Sequence, residues 1–259
     1  MRVPKFIRRY GDPLITPVRI PVLAGVNRGC WWSLVSAGGH VTGRRARRDM
    51  ELISALVRPG DIVWDVGAHH GSMTLVASRR AGDGGKVFAF EPGQRSLDVL
   101  GRHIRWNRCR NVVALPFALS NRDGEDRLGG PGTSTAYALG RGEEVVAVRT
   151  ARTLVEQGIV PPPSFMKLDI EGAEADAIVG ALPILPRTSR LYIEIHTPEN
   201  DRRCTEALVG AGFRLTPSAS LLRLRQSGDA SHAAWNLYCV GPDYTDLERD
   251  LAILKAAGY

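Results

Sequence analysis

The sequence predicts an α/β domain built on a mostly parallel β-sheet. Three observations lead to this prediction: short β-like runs alternate with helical stretches after residue 60, glycines and acids follow several runs, and two β-like runs lie near the end of the chain. Strands that alternate with helices imply a parallel sheet covered on both faces. The 259 residues suffice for one large domain over residues 46–259, with residues 1–45 as a basic extension or cap.

The strands and helices follow from the pattern of apolar residues along the chain. Runs rich in Val, Ile and Phe predict strands at residues 62–66, 87–90, 112–117, 165–170 and 191–195. Stretches between or after them predict helices at residues 72–80, 96–107, 173–182 and 201–211. Two further runs, at residues 214–223 and 234–240, predict an antiparallel hairpin with its turn at Ser227, Gly228 and Asp229.

Two other segments are predicted from glycine, proline and aromatic residues. Residues 124–142 are rich in Gly, Ser and Thr and are expected to form a loop, while prolines at 161–163 impose an extended entry into the next strand. In residues 1–45 prolines recur, and Trp31 and Trp32 lie in a short β-like run. This segment is therefore expected to form a packed cap or hairpin.

Composition and charge exclude several classes of protein. No stretch reaches the roughly 18 to 20 apolar residues of a membrane span and the N-terminus lacks the apolar core of a secretory signal, so a cytoplasmic location is expected. The four cysteines are far apart, which indicates neither a zinc site nor a disulfide framework.

The net charge of +7 is concentrated near the N-terminus. Residues 1–50 hold ten of the 34 Lys and Arg and two of the 27 Asp and Glu, a local charge of +8, so the remainder is close to neutral at −1. This basic segment is most simply a solvated surface. It could also contact an anionic partner, such as a phosphorylated substrate or membrane headgroups.

Polar residues follow the predicted strands at the sheet edge where open parallel sheets bind ligands. The first strand ends in Asp65 and precedes Gly67-x-x-x-Gly71, and the second ends in Glu91, an acid suited to the hydroxyls of a ribose. A dinucleotide site would carry a second glycine where this chain has His69. The spacing therefore favours S-adenosylmethionine over a dinucleotide as the ligand.

Charged residues gather after the fourth and fifth predicted strands. Lys167 and Asp169 are two positions apart, as are Glu194 and His196, so each pair faces one side of its strand. Neighbouring strands are expected to bring all four side chains together in the ligand crevice. Charges so close to buried strands need partners, because their desolvation is expensive.

Together these motifs resemble the FkbM family of S-adenosylmethionine-dependent methyltransferases. The resemblance rests on five segments in the family's order and approximate spacing: DVGAHHG (65–71), FEP (90–92), LPFALSNRDGE (115–125), MKLDIEGAE (166–174) and EIH (194–196). It covers about residues 45–240, and KLDIEGAE followed by the E-x-H strand is its most distinctive part.

The resemblance implies a Rossmann-like class I methyltransferase sheet of seven strands with the last strand antiparallel, and methylation of a hydroxyl on a sugar, glycolipid or secondary metabolite. It implies that Asp169, Glu194 and His196 face the acceptor. The residues that it implies for the cofactor are Asp65, Gly67 and Gly71 at the methionine end, Glu91 at the ribose, and Ala118 to Ser120 beside the adenine. His69 is also expected at the cofactor, where the family usually has Asn, so its contact is expected to differ from the family's. The chain departs from the family again at residues 150–152, which read Thr-Ala-Arg instead of Thr-Leu-Asp.

Methyl transfer to oxygen requires removal of a proton from the hydroxyl. Because an imidazole titrates near neutrality, His196 is expected to be the base, with Asp169 as an orienting group or as the base itself. Lys167 would hold Asp169 ionised. A structural ion-pair network would explain the same residues, and Asp169, Glu194 and His196 could instead hold a divalent metal, which the lack of a compact motif disfavours.

Two other functions stay open. The basic N-terminus suits nucleic-acid methylation, but Asp169 is followed by Ile170-Glu171-Gly172, whose added negative charge would repel phosphates, so no nucleic-acid partner is expected. A cofactor-binding protein without catalysis would carry the same motifs. The expected acceptor is a small molecule or a glycan, and the sequence leaves its identity and the oligomeric state open.

The remaining acids and histidines are interpreted as structural. Glu171 and Glu174 precede and start a predicted helix, where acids complement the helix dipole. His40, His103 and His232 belong to no motif and are expected to be structural or solvated.

Overall fold

The fold is described from a computed structural model, which covers residues 18–36, 38–130, 138–228 and 234–259. Its strands are β1 (Arg19–Pro21), β2 (Trp31–Ser33), β3 (Ile62–Val66), β4 (Lys86–Phe90), β5 (Val112–Leu115), β6 (Phe117–Ser120), β7 (Gly124–Gly129), β8 (Ala138–Leu139), β9 (Glu144–Thr150), β10 (Phe165–Leu168), β11 (Arg190–Ile195), β12 (Arg214–Pro217) and β13 (Trp235–Val240).

Helices precede, connect and follow these strands. They are α1 (Gly38–Val41), α2 (Arg47–Leu56), α3 (Ser72–Ala81), α4 (Gln94–Trp106), α5 (Ala151–Glu156), α6 (Glu174–Ala181), α7 (Pro198–Gly210), α8 (Ala219–Ser227) and α9 (Leu247–Ala256), with 3-10 turns at Leu34–Ser36 and Leu182–Ile184. No helix in the described part of the chain is long and apolar enough to cross a membrane.

A sheet of seven strands forms the centre of the molecule, in the order β12-β13-β11-β10-β3-β4-β5. β10 pairs in parallel with β3 and β11, and β13 runs antiparallel between β11 and β12. The predicted fold class, a Rossmann-like methyltransferase sheet with an antiparallel last strand, is confirmed. The order along the sheet reverses between β3 and β10, which opens a crevice at their carboxyl ends.

Alternate residues of the strands build two apolar cores, one on each face of the sheet. One core joins Trp64, Met166 and Leu191 to the helices α5 to α8, and the other joins Val63 and Phe165 to α2, α3 and α9. Lys167 lies two residues after Phe165 in β10, so its side chain is on the same face of the sheet as the second core. The same spacing carries Asp65 and Glu194 to that face.

A buried ion pair fixes the edge of the sheet opposite the crevice. Arg190 is 3% exposed and Asp61 is 8% exposed, and Nη2 of Arg190 lies 2.6 Å from both carboxylate oxygens of Asp61. Nη1 of Arg190 also donates to the carbonyl of Leu56 at 2.6 Å. One guanidinium therefore joins the start of β11 to the start of β3 and to the end of α2.

The predicted hairpin of residues 214–223 and 234–240 is wrong in its first half. β12 ends at Pro217, and α8 replaces the rest of the predicted strand. Ser218 caps the helix by accepting a hydrogen bond from the amide of Leu221, and Gly228 ends it with a φ of 68°. Gly228 is therefore a helix cap, and Asp229 of the predicted turn lies outside the described residues.

The predicted loop at residues 124–142 is wrong at both of its ends, which form β7 and β8. β7 pairs with both β8 and β9, and β6 completes a second sheet in the order β6-β9-β7-β8. The predicted strand 112–117 is also interrupted, because Pro116 separates β5 in the first sheet from β6 in the second. Residues 131–137 are outside the described residues.

The hairpin predicted around Trp31 and Trp32 is present as the antiparallel pair of β1 and β2. Trp32 is 1% exposed and its ring stacks on His103 of α4, with the ring centroids 3.9 Å apart. The amide of Ser33 donates to Nε2 of His103, whose Nδ1 bonds the carbonyl of His70. The N-terminal hairpin is thus attached to the loop after β3.

Candidate active site

A cavity of about 400 Å³ opens at the carboxyl ends of β3, β4, β10 and β11. A volume of this size suits a small-molecule site. The predicted site residues that line it are Gly67, His69, Glu91, Ala118, Lys167, Asp169 and Glu194. The predicted residues outside its lining are Asp65, Gly71, Ser120 and His196.

The backbone loops after β3 and β10 touch at Gly67. Its φ is +78°, and a Cβ atom there would lie 1.8 Å from the backbone oxygen of Asp169. Glycine is therefore required by the crossing of two loops as well as by the dihedral angle. Gly71 is the N-cap of α3 with a φ of 86°, and it does not line the cavity.

Glu91 is a buried carboxylate at the end of β4. Its Oε2 accepts the amide of His69 at 2.8 Å, and its Oε1 accepts the amide of Gly93 at 2.9 Å. Burial raises the pKa of Glu91 to about 7 despite these hydrogen bonds. Each oxygen keeps a second lone pair, so the carboxylate can still accept hydrogen bonds from a ligand.

Lys167 lines the cavity and lies between two acids. Its Nζ lies 3.4 Å from Oδ1 of Asp65 and 3.3 Å from Oδ2 of Asp169, and it donates to the carbonyl of Gly67 at 3.0 Å. Burial alone would lower the pKa of Lys167, but the charges of Asp169, Asp65 and Glu194 raise it above its ordinary value. Asp65 is 1% exposed and does not line the cavity, so its contact with the site is the ion pair with Lys167. Its Oδ2 accepts a hydrogen bond from the hydroxyl of Thr74 at 2.5 Å.

The structure brings the imidazole of His196 into a ring of acids. Nε2 lies 3.8 Å from Oδ1 of Asp169, 3.9 Å from Oε1 of Glu194 and 3.6 Å from Oε2 of Glu171. Nδ1 donates to Oε1 of Glu174 at 2.8 Å. The four side chains predicted to converge therefore lie together: Asp169 contacts both Lys167 and His196, and His196 also contacts Glu194.

Charge crowding shifts the acid–base behaviour of this cluster. Burial opposes the charge of His196, but the hydrogen bond and charge of Glu174 and the charges of Asp169 and Glu171 raise the pKa of His196 to about 9. Burial and the neighbouring Asp169 raise the pKa of Glu194 to about 7. Near neutral pH the imidazole is charged, and Glu194 is near the midpoint of its titration.

Glu171 and Glu174 have closer roles than helix capping. Glu174 is fully buried and orients His196, while Glu171 lines the cavity with a φ of +58°, unusual for a residue with a side chain. Asp169, Glu171 and His196 offer ligand atoms within 4.8 Å of one another. The metal alternative thus involves Glu171 and not the predicted Glu194. In the sequence, Glu171 and Glu174 are three positions apart at the start of a helix, a pattern that does not predict a contact with His196 or a place in the cavity.

The second sheet supplies an apolar wall, of which the sequence predicted Ala118 and Leu119 but not the sheet that holds them. Its members are Phe117, Ala118 and Leu119 of β6, Leu128 of β7 and Leu139 of β8. Ser120, at the end of β6, is 6% exposed and is turned away from the cavity lining. The cavity is therefore apolar beside β6 to β8 and charged beside β10 and β11.

The segment around α1 and α2 lines the cavity with His40, Arg45, Ala46 and Asp49. Oδ1 of Asp49 accepts the hydroxyl of Tyr192 in β11 at 2.7 Å, so this segment lies beside the charged strands. His40 stacks on Trp32, with the ring centroids 4.8 Å apart. Burial lowers the pKa of His40 and that of His69 to about 4, so both imidazoles are neutral at neutral pH. His40 was expected to be structural or solvated, and its place in the cavity has no motif that would reveal it.

A sequence profile described as the methyltransferase FkbM domain matches residues 65–238, about two thirds of the chain. The chain belongs to the FkbM methyltransferase family. The FkbM match includes Glu91, Lys167, Asp169, Glu194 and His196. It begins after the segment that contributes His40 and Arg45, so those cavity residues lie outside it.

A curated relative and several solved structures are similar to this FkbM chain. The hexuronic acid methyltransferase AglP of Haloferax volcanii is 27% identical over 173 residues, which span 64% of this chain and 70% of AglP. A candidate rRNA methylase from Clostridium thermocellum superposes with a TM-score of 0.51 at 13% identity, over 76% of this chain and 96% of that one. For a precorrin-6y C5,15-methyltransferase from Geobacter metallireducens the TM-score is 0.49 at 13% identity, over 76% and 89%. At such identities the structural likeness is one of fold alone.

Proposed function

We propose that this chain transfers a methyl group from S-adenosylmethionine to a hydroxyl of a sugar, glycolipid or secondary metabolite. The observation that carries the proposal is the cavity in which a buried carboxylate, an apolar wall and an acid cluster face one space. AglP, named a hexuronic acid methyltransferase, supports a sugar as the acceptor.

The cavity residues fit an adenosyl group. Glu91 offers its free lone pairs to the two ribose hydroxyls, and Phe117, Ala118 and Leu128 offer apolar surface to the adenine. Asp169 and Glu194 lie at the other end, where acids suit a sulfonium charge. When bound, S-adenosylmethionine supplies the methyl group that the acceptor oxygen attacks in line.

Glu194 is the proposed base for the acceptor hydroxyl. It lines the cavity, and a pKa of about 7 matches proton transfer near neutral pH. His196, the base expected from the sequence, lies behind these acids and has a pKa of about 9, so at neutral pH it has no free lone pair at Nε2. Its proposed role is to stabilise Asp169 and Glu194 as anions, with Glu174 holding the ring and Lys167 supporting Asp169.

A screen of acceptors by mass spectrometry tests the proposal. The protein is incubated with S-adenosylmethionine and uronic acid glycosides, neutral glycosides, glycolipids or secondary metabolites, and a gain of one methyl unit is expected with the wild type and not with Asp169→Asn. The same incubation with excess chelator tests the metal alternative, and undiminished turnover is expected because Lys167 and His196 already supply cations to Asp169. Calorimetric binding of S-adenosylhomocysteine without methylation of any acceptor would favour a non-catalytic binding protein.

A further inference from the structure

The charged end of the cavity contains one cation that no described acid neutralises. Lys167 is engaged by Asp65 and Asp169, at 3.4 Å and 3.3 Å. Arg45 also lines the cavity, and within the described ranges no Asp or Glu lies within ion-pair distance of its guanidinium. Arg45 therefore presents an unpaired positive charge to whatever enters.

The position of Arg45 relative to Glu91 indicates which part of a ligand it meets. Glu91 follows β4, which contacts β6 of the apolar wall, while β3, which ends just before Gly67, and β10 lie on the other side of β4 from β5. Asp49, four residues after Arg45, accepts the hydroxyl of Tyr192 in β11, and the charge of Arg45 lowers the pKa of His69, so Arg45 lies on the side of Gly67. An adenosyl ligand that puts its ribose at Glu91 and its base against the apolar wall directs its amino-acid tail towards Arg45. That tail ends in a carboxylate, and a guanidinium is the side chain best matched to a carboxylate.

We infer that Arg45 binds the α-carboxylate of the cofactor's methionine tail. This inference rests on the proposed function, because it requires S-adenosylmethionine to be the cofactor. It adds a cofactor residue from a segment outside the matched FkbM domain. A carboxylate on the acceptor would use the same chemistry, so the test must separate the two sources.

Neighbouring Arg44 provides a matched control. The amides of Arg44 and Arg45 both donate to the carbonyl of Gly39, and both side chains are exposed, but only Arg45 lines the cavity. Substituting either side chain leaves those backbone hydrogen bonds in place. Arg44→Gln and Arg45→Gln therefore each remove one positive charge from the same turn, but only Arg45→Gln removes a charge that lines the cavity.

The experiment measures binding of two nucleosides by calorimetry. S-adenosylhomocysteine carries the amino-acid tail, and 5′-methylthioadenosine lacks it. We expect Arg45→Gln to lower the affinity for S-adenosylhomocysteine at least tenfold and the affinity for 5′-methylthioadenosine less than twofold. Arg45→Lys should retain part of the affinity for S-adenosylhomocysteine. Arg44→Gln should change neither affinity. Thermal unfolding of each variant without ligand confirms that it is folded.

Three outcomes would overturn the inference. If Arg45→Gln lowered the affinity for both nucleosides equally, Arg45 would not act through the amino-acid tail. Unchanged affinity for S-adenosylhomocysteine would remove Arg45 from the cofactor site, and a raised KM for an acidic acceptor in that case would assign the guanidinium to the acceptor. Failure of the wild type to bind either nucleoside would refute the proposed cofactor itself, which distinguishes that failure from an error about Arg45.

Discussion

At the scale of single residues, the acid–base chemistry is decided by how many carboxylates surround one imidazole. Asp169, Glu171 and Glu194 lie within 4 Å of Nε2 of His196, and Glu174 holds Nδ1. An imidazole in such surroundings is a stabilised cation at neutral pH, which is why the proposed base is Glu194 and not His196. The sequence predicted that Asp169, Glu194 and His196 converge, but it interpreted Glu171 and Glu174 as helix-capping acids, and the pKa of His196 depends on burial and on these two acids.

Glu194→Gln is expected to lower kcat by roughly 10²- to 10⁴-fold, because the amide cannot accept the acceptor proton. Affinity for S-adenosylhomocysteine should stay within about threefold, as measured by calorimetry. In the wild type kcat should fall as pH drops below about 7, where Glu194 becomes protonated. Glu199→Gln, which changes an exposed acid paired with Arg202, is the control and should leave both quantities unchanged. A kcat near the wild-type value in Glu194→Gln would exclude this base.

The raised pKa of His196 makes a distinct contribution to stability. A group whose pKa is about 9 in the folded protein and 6.5 when unfolded stabilises the fold below pH 6.5, and this contribution is lost as pH rises through 9. Between pH 6 and pH 10 the wild type should lose about 3 kcal/mol more unfolding free energy than His196→Gln. Urea unfolding at both pH values measures the difference, and parallel profiles for the two proteins would contradict the shift.

At the scale of elements, loops and strand ends define the site. Gly67 allows the loops after β3 and β10 to touch, and the second sheet supplies the wall that β6 to β8 present to the cavity. The first feature was visible in the sequence as a glycine motif. The second was hidden, because β7 carries Glu125, Asp126 and Arg127 on a short strand whose polar residues are typical of loops.

Gly67→Ala should be far more destabilising than a glycine substitution of equal backbone strain. Gly60 has a φ of 85°, close to the 78° of Gly67, but nothing lies within 4 Å of a Cβ atom built on it. Gly60→Ala should therefore cost only the strain, about 1–2 kcal/mol. Gly67→Ala should cost about 1–3 kcal/mol more through its clash with Asp169, measured by urea unfolding. Equal losses would mean that the two loops separate without penalty.

The buried Arg190–Asp61 pair, at the end of the sheet opposite the cavity, should contribute strongly to the unfolding free energy of the protein. Asp61→Asn leaves a buried guanidinium without its counter-charge and should reduce the unfolding free energy by about 3–5 kcal/mol. The control is Asp243→Asn, which breaks the exposed pair with Arg187 and should have little effect. Since the pair lies at the far edge, affinity of the folded variant for S-adenosylhomocysteine should not change, and a selective loss of binding would contradict this view.

At the scale of the whole molecule, the alternation of strands and helices was predictable from local patterns, and the seven-strand sheet with its antiparallel last strand followed from the family resemblance. The sequence also located the crevice, since Asp65, Glu91, Asp169 and Glu194 follow or end strands that converge there. It missed the second sheet and α8. It expected the N-terminal cap to line the acceptor pocket, but it did not identify His40 or Arg45 as the residues that do so. Those features depend on contacts between distant segments, which local patterns of apolar residues do not encode.

The distribution of charge over the molecule argues against a nucleic-acid substrate. The excess of +8 lies in residues 1–50, whereas the cavity presents Asp49, Glu91, Asp169, Glu171 and Glu194 against the cations Arg45 and Lys167. These acids would repel a polyanion from the cavity. Gel shifts with RNA and with DNA at about 150 mM salt should therefore show no complex. A salt-sensitive shift together with methyl transfer to the nucleic acid would replace the acceptor class proposed above.

The aromatic stack of the N-terminal hairpin gives the molecule an internal optical probe. The indole of Trp32 is shielded from water and lies against His40, which itself borders the cavity. A cofactor that displaces water around His40 alters the environment of that indole, so tryptophan emission can follow ligand entry without any attached dye. Comparison with Trp32→Phe would separate this signal from that of the other four tryptophans.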